Sequence, residues 1–151
     1  MNKFNIEEQN SIYKAISIIE TLALKTSLIA TNSEAVKNYC RLQLGSLERE
    51  NFGILFLNNQ NQLISFEVLF KGSINAAAVY PMQCVKRALE LNSASLILTH
   101  NHPGGCNEPS IADKEITVRL VDAFKLLDIR VIDHVIVSCT GTYSFAEHNL
   151  L

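Results

Sequence analysis

Two histidines separated by one residue, followed closely by a serine and an aspartate, are the part of this chain best equipped for chemistry. The run reads Thr99-His100-Asn101-His102-Pro103-Gly104-Gly105-Cys106-Asn107-Glu108-Pro109-Ser110-Ile111-Ala112-Asp113. In extended backbone alternate side chains point to the same side, so His100 and His102 share a face. Two neutral imidazoles on one side can bind a single zinc ion. Ser110 and Asp113 stand three apart, a spacing that one helical turn brings together. Asp113 can then supply an oxygen as third ligand. Three protein ligands leave one tetrahedral position for water, the mark of a catalytic zinc rather than a structural one. Ser110-x-x-Asp113 also reads as a plain helix start, with serine as N-cap and an acid in the first turn. The two readings are compatible, because a helix start is a rigid place to hold a ligand.

The neighbouring elements must deliver these groups. Residues 95–99 read as the strand that presents the histidines, and Pro103-Gly104-Gly105 breaks the chain after it. Residues 110–127 read as a helix with Ile116, Leu120, Phe124 and Leu127 toward the core. Residues 130–138 form a strand, Thr140-Gly141 turns, and residues 142–145 form a short strand. Earlier, residues 7–24 carry Ile12, Ile16, Ile19 and Ala23 at helical spacing. A second helix starts at Ser33 as N-cap and runs to about residue 44, with Val36, Tyr39, Cys40 and Leu44 inward and Gly45 as its stop. Residues 52–57 are continuously apolar, the pattern of a strand buried on both faces. Asn58-Asn59-Gln60-Asn61 turns that strand into a hairpin partner over residues 62–70. Gly72 interrupts, residues 76–80 add a short strand, and Pro81 opens a helix over residues 82–91. The result is an α/β domain, a mixed sheet flanked by helices. It divides into an N-terminal helical segment, residues 1–45, packed on a domain of residues 46–151.

The chain has 151 residues, 48% of them hydrophobic and 19% charged, with a net charge of −2. That is the profile of one ordinary globular domain. There is no basic excess to attract nucleic acid. Lys86-Arg87 and the scattered Lys114, Arg119, Lys125 and Arg130 read as solvated helix faces. Cys40, Cys84, Cys106 and Cys139 show no CxxC spacing, which suits free thiols in a reducing cytoplasm. Cys106 lies inside the metal loop and reads as a small loop residue. The N-terminus lacks a basic-then-apolar signal pattern, and no apolar run approaches the roughly 20 residues of a membrane span. Gly104-Gly105 lacks the lysine of a phosphate-binding loop and the dinucleotide pattern. Asp133-His134 sets a carboxylate beside an imidazole, which can orient a ligand or shuttle a proton. A hydrogen-bonded core histidine is the competing reading of His134, and His148 reads as a solvated tail residue.

His-x-His, seven residues, then Ser-x-x-Asp resembles the JAMM motif of MPN/JAB-domain metalloproteases. The wider text resembles the bacterial RadC family: His100-Asn101-His102-Pro103, Pro109-Ser110, Asp133-His134 and Ser144-Phe145-Ala146-Glu147-His148, with support from residues 55–62 and 85–89. The match covers about residues 34–151. It departs at Gly104-Gly105, where members usually carry Ser-Gly after His-Pro. The chain also begins too late to hold the N-terminal helix-hairpin-helix region of full-length members. It looks like the short single-domain forms often found in mobile-element gene clusters.

The resemblance implies a JAB/MPN fold, related to the cytidine-deaminase-like architecture, with Zn2+ held by His100, His102 and Asp113. It also implies a glutamate base at the start of an early strand. Glu50 fits best, since Glu50-Asn51-Phe52-Gly53-Ile54-Leu55 runs an acid straight into a buried strand. Glu67, in the second hairpin strand, is the runner-up. Ser110 can donate to a developing oxyanion. Asn101 should point away from the metal and hold the loop, with Asp133, His134 and Glu67 as outer candidates. The function implied is zinc-dependent hydrolysis of peptide or isopeptide bonds in a protein or peptide substrate, in the cytoplasm and away from membranes, by a chain free to form a homo-oligomer. The alternative is a DNA-repair-associated accessory protein with a non-catalytic metal. A metal-dependent nuclease fits worst, because no acidic pair is present for a second metal.

Overall fold

A computed structural model of the chain describes residues 4–26, 32–73 and 78–151. The elements run α1 (Ile6–Thr26), α2 (Ser33–Leu44), β1 (Asn51–Leu57), β2 (Leu63–Lys71), α3 (Pro81–Glu90), β3 (Ser95–His102), α4 (Ile111–Lys125), β4 (Arg130–Ser138) and β5 (Thr142–Ser144). The strands form one mixed sheet in the order β2-β1-β3-β4-β5. β1 pairs antiparallel with β2 and β3, β3 pairs parallel with β4, and β4 pairs antiparallel with β5. A parallel pair needs a crossover, and α4 supplies it between β3 and β4.

Each face of the sheet has its own core. On one face Phe52, Ile54, Phe56, Leu96 and Leu98 pack with Cys84 and Ala88 of α3 and Ile116, Leu120 and Phe124 of α4. On the other, Leu55, Leu57, Ile97, Val135 and Val137 pack with Val36, Tyr39 and Cys40 of α2, and Ile16 and Ile19 of α1 join them. Helices cover both faces, so the central strands cannot alternate apolar with polar. All of β1 is buried. This is the physical origin of its continuous apolar run.

Helix ends explain where the structure departs from the periodicity. Asn92 and Asp128 hold left-handed φ values of 51° and 56°. At α4, Ile129 N–H donates to the Phe124 carbonyl and Asp128 N–H to that of Lys125. Ser93 and Asn92 repeat the pattern on Ala88 and Leu89 after α3. This double closure ends a helix firmly, so α4 stops at Lys125 and Leu127 is left 41% exposed rather than in the core. At α2 the N-cap is Asn32, whose side chain accepts from Ala35 N, and not Ser33. The Ser33 hydroxyl bonds Glu147 instead, at 2.6 Å. Strand β3 continues through both histidines to His102, three residues beyond the expected end at Thr99. Of the short strand expected over residues 76–80, residues 76 and 77 lie outside the described residues, and residues 78–80 pair with no strand, forming a turn that leads into α3.

Gly53 of β1 lies close under the ring of Phe66 on β2. A methyl group there would lie 2.7 Å from Phe66 Cε2 and 2.9 Å from its Cζ. The Phe66 ring is itself pinned edge-on against Tyr39 at 5.9 Å. Gly53→Ala should therefore destabilise the fold by about 1–3 kcal/mol through overpacking. A lowered urea midpoint checks it; an unchanged midpoint would mean that Phe66 can swing clear.

Candidate metal centre

The site forms at the end of β3 and the start of α4. His100 and His102 leave β3 on one face, two residues apart, and His100 lies opposite Phe52 of β1. The chain turns at Pro103 to Gly105, where Gly105 takes a φ of 92° that suits glycine. It then enters α4 with Ser110 as N-cap. Ser110 and Asp113 form a reciprocal capping box: Ser110 Oγ accepts from Asp113 N at 3.1 Å, and Ser110 N donates to Asp113 Oδ2 at 2.7 Å. The Ser110 hydroxyl also donates to Oδ2 at 2.7 Å. Two donors on one oxygen fix the carboxylate, and the helix cap and the ligand are the same structure.

The three groups converge. His100 Nε2 lies 2.9 Å from His102 Nε2 and 3.1 Å from Asp113 Oδ1, and His102 Nε2 lies 3.3 Å from Asp113 Oδ2. His100 and Asp113 are buried, and His102 faces partly outward. His102 Nδ1 lies 2.8 Å from the Cys106 carbonyl oxygen. A carbonyl only accepts, so this nitrogen carries the ring proton and Nε2 offers a lone pair. Lone pairs packed this closely against a carboxylate repel one another unless a cation or a shared proton lies between them. The cluster could therefore hold a metal ion, its ligand atoms all lying within 4.8 Å of one another. Imidazole nitrogen with carboxylate oxygen is a donor set for a first-row transition metal or zinc.

Electrostatics follow the packing. Burial opposes ionisation of Asp113, but the close approach of His100 and His102 and the hydroxyl of Ser110 outweigh it and hold the carboxyl far below its usual range. Burial lowers His100, against the pull of Asp113. The adjacent Asp113 carboxylate favours the protonated form of His102 and raises it, against partial burial. The negative charge of Glu50 is close enough to favour protonation of both.

The remaining candidates separate clearly. Glu50 is half-buried at the mouth of β1, and alternation puts it on the side of Phe52, whose ring stacks on His100 at 6.2 Å. Glu67 is elsewhere. It pairs across the ladder with Ile54, which in turn faces Leu98, further down β3 than the histidines. Its carboxylate is held by Arg87 of α3 at 2.6 Å and lowered by that bond. Asn101 points to the opposite face. Its Oδ1 accepts from Asn51 N at 2.8 Å, and its amide donates to the Leu47 and Arg49 carbonyls at 3.1 and 3.0 Å. It thus clamps the segment on both sides of Glu50.

Asp133 and His134 do not act on each other through their side chains. Asp133 accepts from His134 N, Ser144 Oγ and Ala146 N at 2.7, 2.6 and 3.0 Å, tying down the C-terminal segment. The His134 ring points the other way, fully buried, with its Nε2 2.8 Å from His100 Nδ1. Burial pushes its pKa well below the ordinary value. His148 is exposed yet held: it stacks on Tyr143 at 4.0 Å, and its Nδ1 bonds the Ser144 carbonyl. Thr117 was not singled out from sequence, although it lies four residues after Asp113 on the same helical face. The four cysteines are free; Cys40 and Cys84 are buried and both pushed up to about 12, while Cys106 and Cys139 are exposed.

Comparison with known proteins supports the same family as the motif. Residues 30–150 match the model of the RadC-like JAB domain. The chain is 48% identical to UPF0758 protein YfjY of Escherichia coli K12, over 95% of this chain and 89% of that protein. It is 47% identical to UPF0758 protein YkfG of the same strain, over 96% and 92%. A UPF0758 protein of Vibrio cholerae is 52% identical over 80% of this chain and 76% of its own length.

Two outcomes follow from the geometry. Protein purified without a metal-affinity column should carry about one metal ion per chain by elemental analysis, and Asp113→Ala should lose it; equal metal in both would disprove the three-ligand arrangement. Stability of the metal-free chain should fall on acidification. His100 and His134 stay neutral when folded but take up protons when unfolded as the pH drops through 6.5. The unfolded state then binds more protons, so unfolding becomes easier. The raised His102 offsets this in part, because its contribution is fullest below 6.5 and fades as the pH rises. Urea midpoints between about pH 7.5 and 5 read the net slope, which should be positive with pH.

Proposed function

The chain belongs to the RadC-like JAB domain family, and on that footing we propose that it is a zinc-dependent hydrolase of amide bonds, acting on a peptide or isopeptide link in a protein or peptide substrate. The observation that carries this reading is the convergence of His100, His102 and Asp113 on one point, with the charge of Glu50 within electrostatic reach of both histidines. A zinc ion in that position supplies Lewis acidity, polarising a carbonyl and making a water nucleophilic near neutral pH.

The protein's own groups move the protons. Glu50 takes a proton from the attacking water as its oxygen bonds to the carbonyl carbon. It returns that proton to the amide nitrogen as the carbon–nitrogen bond breaks. A clamped backbone on either side of Glu50 holds the segment that carries it. Asn101 supplies that clamp from the far side of β3. Ser110 first orients Asp113, since its one hydroxyl hydrogen is directed at Oδ2. Donation to a substrate oxyanion follows once substrate competes for that hydrogen.

The deciding assay is cleavage of a panel of fluorogenic peptide and isopeptide substrates by zinc-loaded protein. Glu50→Gln should reduce turnover by about 10²–10⁴-fold while metal content stays at the wild-type level. Glu67→Gln should leave turnover intact and lower thermal stability, because it breaks the tie between β2 and α3. A zinc-loaded wild type inert across the panel, or an active Glu50→Gln, would overturn the assignment.

A further inference from the structure

Behind the metal ligands lies a second, fully buried row of polar groups: His100, His134, Thr117 and the carbonyl of Asp113. His100 Nδ1 lies 2.8 Å from His134 Nε2. His134 Nδ1 lies 2.6 Å from Thr117 Oγ1, and that oxygen lies 2.6 Å from the Asp113 carbonyl oxygen. Apolar rings seal the row. Phe145 stacks on His134 at 4.7 Å and Phe52 meets it edge-on at 5.6 Å.

The directions of these bonds can be worked out. A carbonyl oxygen only accepts, so a contact of 2.6 Å to Thr117 Oγ1 requires the hydroxyl hydrogen. Were that hydrogen turned toward His134 instead, lone pair would face lone pair at the Asp113 carbonyl. With its hydrogen spent, Thr117 must accept from His134 Nδ1. A neutral imidazole has one N–H, so His134 Nε2 is an acceptor, and His100 must donate to it from Nδ1. The only lone pair left on His100 is then on Nε2, the atom that faces Asp113 and His102.

We infer that Thr117 and His134 are positioning residues which, through this one-way chain of hydrogen bonds, hold His100 in the single tautomer and ring orientation that can bind the metal. The chain starts on the backbone of Asp113, so one ligand's helix sets the protonation pattern of another ligand. His102 obtains the same result from the Cys106 carbonyl alone. The two histidines are thus prepared by different means, one by a surface loop and one by the core. Outer partners of this kind tune affinity for the metal rather than merely filling space.

The inference rests on the metal-centre reading but not on hydrolysis, and its test needs no substrate. Zinc affinity is measured by chelator competition for wild type, Thr117→Val, Thr117→Ser and His134→Phe. Nitrogen-15 NMR of the histidine rings reads the tautomers with and without zinc. Thr117→Val, which keeps the shape and removes the hydroxyl, should weaken zinc binding about 10–100-fold. Thr117→Ser should restore it. In the spectra His134 should carry its proton on Nδ1, and zinc-bound His100 should do the same. A folded Thr117→Val that binds zinc as tightly as wild type would overturn the relay, as would His134 protonated on Nε2. A wild type that binds no zinc would overturn the proposed hydrolase, while the tautomer of His134 would still judge the relay. Should His134→Phe fail to fold, the threonine pair decides alone.

Discussion

The arrangement depends on one electrostatic demand: two imidazole lone pairs and an ionised carboxylate must be held about 3 Å apart although they repel one another. The restraint comes from behind each group. Asp113 is fixed by the cap of its own helix, His102 by a loop carbonyl, and His100 by a buried row that ends on the Asp113 backbone. Each tie is an ordinary hydrogen bond, worth about 0.5–1.5 kcal/mol net. Together they leave the ligands no cheap way to relax apart, and a cation relieves the repulsion that remains.

The fold supplies the geometry for this with few parts. A parallel β3–β4 pair joined by a helix places the end of β3 and the start of that helix at the same edge of the sheet. Open α/β sheets generally place their ligands at such an edge. Firm closures after α3 and α4 fix where each helix hands the chain back to a strand, and so fix the register of β3 against β4. The division of the sheet into two cores has a second use. The metal ligands face the core built with α3 and α4, while Asn101 works on the side of α2. One strand thereby serves the ligands and the segment of the neighbouring Glu50 without crowding either.

Much of this was legible in the sequence, for identifiable reasons. The continuous apolar run of β1, the spacing of Val36, Tyr39, Cys40 and Leu44, and the Pro81 start of α3 are local signals that the packing reinforces. The His-x-His and Ser-x-x-Asp spacings carried the ligand cluster, because strand alternation and helical pitch convert spacing directly into direction. The partners of polar groups were not legible. That Asp133 turns away from His134, that Glu67 belongs to Arg87, and that Thr117 completes a row behind His100 depend on contacts between residues 17 to 34 positions apart or on which face a strand presents. Leu127 failed for a different reason. Periodicity continues past the helix end, and the left-handed Asp128 that stops α4 gives only a faint signal beside it.

The alternation of β3 has a consequence for how this chain can vary. Leu96, Leu98, His100 and His102 share one parity along the strand, and Ile97, Thr99 and Asn101 share the other. A one-residue slip of the whole strand against its neighbours would exchange the two sets all at once. It would carry the histidines off the metal face and Leu96 and Leu98 out of their core in the same step. The site therefore cannot drift gradually out of frame while the domain survives. Folding acts as a proofreader of the site, and any chain that passes it has its ligands on the correct side.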